Sequence, residues 1–85
     1  MAKMSLVIPR HQLGHDSNGG YSFKHNSRIY RVEWTAVSRI NGLITELTGT
    51  FTQAPDPWLD QPVYIKLLPD KENYEVTVDQ CAAIN

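Results

Sequence analysis

Cys81 is the only cysteine among 85 residues, so no disulfide can form within the chain. A domain this small without a staple draws its stability from one modest core or from association. So cysteine-poor a chain also fits a reducing compartment. Charge of either sign is not in excess: eight Lys and Arg against nine Asp and Glu give a formal net charge of −1. That balance removes any general attraction to nucleic acid or to an anionic membrane. Long hydrophobic runs are missing as well, since Leu6-Val7-Ile8 stops at Pro9, far short of a membrane span or a signal-peptide core. These absences predict a soluble, cytoplasmic protein that makes no membrane contact.

Catalytic frames are equally scarce. Ser5, Ser17, Ser22, Ser27 and Ser38 lie in no nucleophile-elbow glycine pattern. His11, His15, Asp16 and His25 lack the spacing of a structural zinc set, and no cysteine pair completes them. Asp16-Ser17-Asn18 begins like a calcium loop, but Tyr21 and Ser27 stand where that loop needs glycine and glutamate. No metal or cofactor is expected, and no catalytic residue can be named. The whole chain, residues 1–85, reads as one domain of ordinary globular composition, with 41% hydrophobic and 20% charged residues.

What is present is turn chemistry between alternating segments. Asn41-Gly42 is the strongest short hairpin signal, because a type I′ turn needs φ > 0 at both central residues. Extending that register over Arg28–Thr52 pairs Ile40 with Leu43, Ala36 with Leu47, Trp34 with Gly49 and Val32 with Phe51 on an inner face. Val37 with Glu46 and Thr35 with Thr48 then fall on an outer face. Asn26-Ser27 is a second two-residue turn, which sets Phe23 opposite Tyr30 and Tyr21 opposite Val32. A third hairpin turns at Pro69-Asp70-Lys71-Glu72, pairing Leu67 with Tyr74, Ile65 with Val76 and Lys66 with Glu75. Ser5–Ile8 reads as an edge strand. Pro9–Gly20 reads as a surface loop, long enough in a small domain to suggest a functional segment. Asp56-Pro57 suits the start of one short helical turn near Asp56–Asp60, with Trp58 and Leu59 plugging one end of the core.

The predicted fold is therefore mainly β: a single small antiparallel meander of about six strands, curling into a partly closed barrel or sandwich. No amphipathic helix is available to cover the apolar face, so the sheet must curl on itself or pack on a second copy.

Two surfaces stand out as candidate sites. Basic and aromatic residues interleave from Tyr21 to Arg31, which suggests ligand binding through Lys24, His25, Arg28 and Arg31. On the outer faces, Ile29, Val37, Ile44, Tyr64 and Leu68 interrupt the polar pattern and suggest an interface between copies of the chain. The leading expectation is a small binding or interaction module that self-associates as a homodimer or larger assembly and takes a small molecule or a protein. The alternative is a nucleic-acid-binding module using Lys24, Arg28 and Arg31. The third is a small enzyme with its site at a subunit interface.

Overall fold

Connectivity dictates the shape of this sheet. The structure, a computed structural model, describes residues 3–15, 19–55 and 58–79. Its strands are β1 (Lys3–Pro9), β2 (Gly14–His15), β3 (Tyr21–His25), β4 (Arg28–Ile40), β5 (Leu43–Gln53), β6 (Pro62–Leu67) and β7 (Asn73–Asp79). They form one antiparallel sheet in the order β1-β7-β6-β5-β4-β3-β2. β1 and β2 are thus neighbours in sequence but opposite edges of the sheet. Six inter-strand steps separate them, about 29 Å in a flat sheet. The link from Pro9 to Gly14, through a 3₁₀ turn at Arg10–Gln12, reaches only about 18 Å even when pulled straight. A flat sheet is excluded, and the seven strands curl into a half-barrel.

The concave face holds the core. Ile8, Leu47, Phe51, Ile65, Val76 and Val78 are fully buried, one from each of β1 and β6 and two from each of β5 and β7. Aromatic rings complete it from β3 and β4: Phe23 stacks on Tyr30 at 4.8 Å between centroids, and Tyr30 tilts against Phe51 at 5.5 Å. No polar or charged residue is buried among the described residues.

Turn chemistry places the hairpins as the sequence predicts. Asn41 and Gly42 both take positive φ, and so do Asn26 and Ser27. Phe23 pairs with Tyr30, Tyr21 with Val32, Ile65 with Val76 and Lys66 with Glu75. At the third hairpin, the Lys71 amide donates to the Leu68 carbonyl at 2.9 Å, which makes Pro69 the second residue of the turn.

Four expectations need correction. The main hairpin follows its predicted register near the turn and again from Trp34 to Val32; it departs at Arg31, which pairs with Gln53 rather than Thr52, and in the stretch between the turn and Trp34. There Ala36 pairs with Thr48, Val37 with Leu47 and Ser38 with Glu46, because Thr35 on β4 and Thr45 on β5 are each an extra, bulged residue. A one-residue slip exchanges the faces, so Val37 turns inward against Leu47 in place of the smaller Ala36. Trp34, placed inside by simple alternation, is 46% exposed beside the first of these bulges. Within the predicted loop Pro9–Gly20, Gly14 and His15 pair with Ser22 and Tyr21 as a seventh strand, too short to leave a period in the sequence. Lastly, Trp58 packs against the core but Leu59 is exposed, and Trp58–Gln61 is a turn rather than a helix. Asp56 and Pro57, the predicted helix start, lie outside the described residues, as does Cys81.

The bulge at Thr35 brings backbone against backbone. A Cβ on Gly49 would overlap the Glu33 carbonyl oxygen and come within 2.9 Å of the Trp34 Cα. Gly42, by contrast, has nothing within 4 Å of a would-be Cβ and is held only by its φ of +81°. Gly49→Ala should destabilise the fold by about 1–3 kcal/mol through overpacking. Gly42→Ala should cost about 1 kcal/mol of backbone strain. Urea denaturation of the two variants gives the order.

Candidate functional site

Strand alternation divides the basic group read from the sequence. Lys24 pairs with Ile29 and Arg31 with Ser22 on one face, whereas His25 pairs with Arg28 in the inward phase at the hairpin end. Lys24 and Arg28 are exposed, while His25 and Arg31 are half-buried. The Arg31 Nε donates to the Gln53 side-chain oxygen at 3.0 Å. Phe23 and Tyr30, the aromatics interleaved with these bases, are 3% and 6% exposed and stacked on each other, so neither offers a free face to a base.

The predicted outer apolar patch is not continuous. Val37 and Ile44 are half-buried and pack against the core, because the bulged register turns the middle of the hairpin inward. Ile29 and Tyr64 do face outward, at 47% and 37% exposure, but on strands separated by β5. Leu68 is half-buried at the end of β6. Tyr64 donates its hydroxyl to a Glu46 carboxylate oxygen at 2.9 Å, and this bond raises its pKa. Between Tyr64 and β4 lies a convex groove of about 430 Å³, walled by Thr35, Thr48, Thr50 and Thr77 with Pro62.

Closure creates a different grouping at the end of the half-barrel where the β4–β5 turn overhangs. A cleft of about 360 Å³ lies there, lined on one side by Arg10, His11 and Leu13, and on the other by Gly42, Leu43 and Ile44. Glu72 and Tyr74 complete its lining. Three bonds hold this mouth in shape. The Arg10 amide donates to the Glu72 carbonyl at 2.8 Å, tying the 3₁₀ turn to the third hairpin. The Tyr74 hydroxyl donates to the Ile44 carbonyl at 2.8 Å, tying β7 to β5 across the concave face. Arg39, the register partner of Ile44, donates from Nη2 to the Tyr21 hydroxyl oxygen at 2.6 Å. Burial raises the Tyr74 pKa, the Arg10 charge opposes the rise, and the Tyr21 hydroxyl adds to it.

Of these mouth residues only Ile44 was named as a candidate from the sequence, and there as part of an outer interface rather than of a cleft. The mouth residues come from four strands, three turns and the link at Leu13, and no spacing along the chain connects them. Among the described residues, no group of three His, Cys, Asp or Glu side chains is placed to hold a metal ion. No helix among them is long and apolar enough to cross a membrane.

No protein-family model matches the chain, and no curated protein or solved structure matches it either. The site therefore rests on its own geometry.

One last feature is the free edge of β1. Seven successive pairs join β1 to β7 without a register shift, and nothing among the described residues pairs with its other side. Solitary edges are usually blunted by charge, a bulge or brevity. β2 at the opposite edge is only two residues long. β1 carries such devices only at its ends, Lys3 and Pro9; between them Met4-Ser5-Leu6-Val7-Ile8 is uncharged, and Val7 is 51% exposed.

The third hairpin forms one wall of the mouth, and Asp70 organises it. Its Oδ1 accepts from the Glu72 amide at 2.8 Å and the Asn73 amide at 3.2 Å, and Oδ2 accepts from the Asn73 side-chain amide at 2.9 Å. These donors favour the charged carboxylate and lower its pKa below the ordinary 3.8, with the Glu72 amide the largest cause. A depressed folded pKa gives stability that is present above the unfolded value and lost as pH falls through the folded one. Asp70→Ala should therefore lower the melting temperature at pH 7, and the gap from the parent chain should narrow on acidification below the ordinary carboxylate range. Melting curves of both proteins from neutral to strongly acid pH give the comparison.

Proposed function

We propose that this chain is a small interaction module that self-associates by adding strands at the β1 edge. The carrying observation is that edge itself: a seven-residue strand, continuous in register, uncharged over Met4–Ile8 and unpaired among the described residues. Main-chain N–H and C=O groups along such an edge form a template that pairs with another strand. A second copy fits because antiparallel pairing of β1 with β1 uses the same residues on both sides, as a two-fold contact requires. Centred on Leu6, that pairing sets the exposed Ser5 of each copy opposite the exposed Val7 of the other and covers apolar surface on Val7. This places the contact at the sheet edge rather than on the convex face around Ile29 and Tyr64.

Charge sets the expected salt response. The segment is bracketed by Lys3 and Arg10, and antiparallel pairing brings these cationic ends together. Association should tighten as salt screens them, the reverse of what a charge-driven contact with nucleic acid would give.

Light scattering coupled to size exclusion across a dilution series should show a dimer that dissociates at low concentration and is favoured by added salt. The double variant Ser5→Lys/Val7→Lys places like charges across the contact and should run as a folded monomer with an unchanged far-ultraviolet circular dichroism spectrum. A parent chain that remains monomeric at every concentration, or a double variant that associates as before, rejects the reading.

A further inference from the structure

We infer that the mouth of the half-barrel is a binding site for a small organic oxyanion, whose charged head sits at the Arg39–Tyr21 pair and whose apolar body lies in the cleft beside Leu13 and Leu43. The inference starts from the direction of one hydrogen bond. Arginine has donors and no acceptor, so in the 2.6 Å contact Arg39 must donate and the Tyr21 oxygen must accept. The Tyr21 hydroxyl proton is thereby turned away from Arg39, and no acceptor for it lies within bonding distance among the described residues. Tyr21 is only 4% exposed, so this hydrogen belongs to a side chain held in place by the core. Arg39 keeps further N–H groups beside it. A guanidinium and a phenol, donating side by side, match the two oxygens of a carboxylate or two of those on a phosphate.

The surroundings favour the same ligand class. Neither Arg39 nor Arg10 forms an ion pair with a carboxylate among the described residues. Asp70, the acid of the adjoining turn, is already occupied by three N–H donors. Only Glu72 brings negative charge to the lining of the cleft, and Arg10 stands there with it. The pair adjoins the cleft through Ile44, which is the register partner of Arg39, lines the cleft and accepts the Tyr74 hydroxyl. Leu13, Leu43 and Ile44 supply apolar contact there. Convergent donors beside an apolar wall are the usual composition of a small-molecule site.

The test compares hexanoate, acetate and inorganic phosphate by following amide peak shifts in two-dimensional NMR spectra, which also report whether each variant is folded. Hexanoate carries four more methylenes than acetate, each worth roughly a factor of four in affinity when fully buried. Saturable shifts near Arg10, Arg39 and Tyr74, with hexanoate binding at least about tenfold tighter than acetate, support the site. Arg39→Gln and Tyr21→Phe should each weaken hexanoate binding about tenfold or more. Arg28→Gln, a control at the other end of β4, should leave it unchanged. The inference fails if hexanoate gives no saturable shift at ~10 mM, which would fill most of a millimolar site. It also fails if acetate or phosphate binds as tightly as hexanoate, or if Arg28→Gln weakens binding as much as Arg39→Gln does.

Discussion

The short crossing from Pro9 to Gly14 is the constraint on which the rest of this structure depends. It joins opposite edges of a seven-stranded sheet, and its reach is well below the width that sheet would have if flat. Curling is therefore required by chain length before any question of packing arises. Packing then rewards it, because the concave face gathers the side chains of β1 and β5–β7 with the aromatic stack of β3 and β4. A flat sheet of this size would leave one apolar face in water, and no α-helix among the described residues covers it.

Curvature has to be absorbed by the longest strands, and β4 and β5 carry it as bulges. The bulged Thr35 and Thr45 bracket a segment whose pairing is displaced by one residue and restored on either side. Bulges sharpen strand twist and bend. Here they exchange Val37 for Ala36 on the inner face and leave Gly49 pressed against the β4 backbone. They also swing the β4–β5 turn over one end of the half-barrel, where it meets the Arg10–Gln12 turn and the third hairpin. Both proposed sites follow from this geometry. A half-barrel that stops short of closure keeps a β1 edge to offer, and the overhanging turn makes a mouth with convergent donors.

Those features contrast with the surfaces that composition suggested. The run from Tyr21 to Arg31 looks like a basic, aromatic binding strip in one dimension. In the folded chain its rings are consumed by the core, and its bases are shared between two faces. The apolar residues that interrupt the outer pattern likewise divide, Val37 and Ile44 going inward and Ile29 and Tyr64 outward. The charge that matters at the mouth comes instead from Arg10 and Arg39, residues 29 positions apart in the chain.

Local chemistry made much of the fold legible from the sequence. Asn41-Gly42, Asn26-Ser27 and Pro69-Asp70 determined where the chain turns, and alternation beside each turn determined which residues first pair. The all-β class, the curl and the aromatic interior followed from those registers and from the want of a helix. The edge position of Ser5–Ile8 was also legible, from Pro9, whereas tertiary structure alone decided the bulges, the seventh strand and the mouth. The physical reason is range. A turn type depends on two or four consecutive residues, whereas a bulge is placed by the curvature that a distant connection imposes. A two-residue strand such as Gly14–His15 has no period of its own and exists only because β3 offers it a ladder. The Arg39–Tyr21 contact arises only once β4 has bent to bring its far end back toward β3.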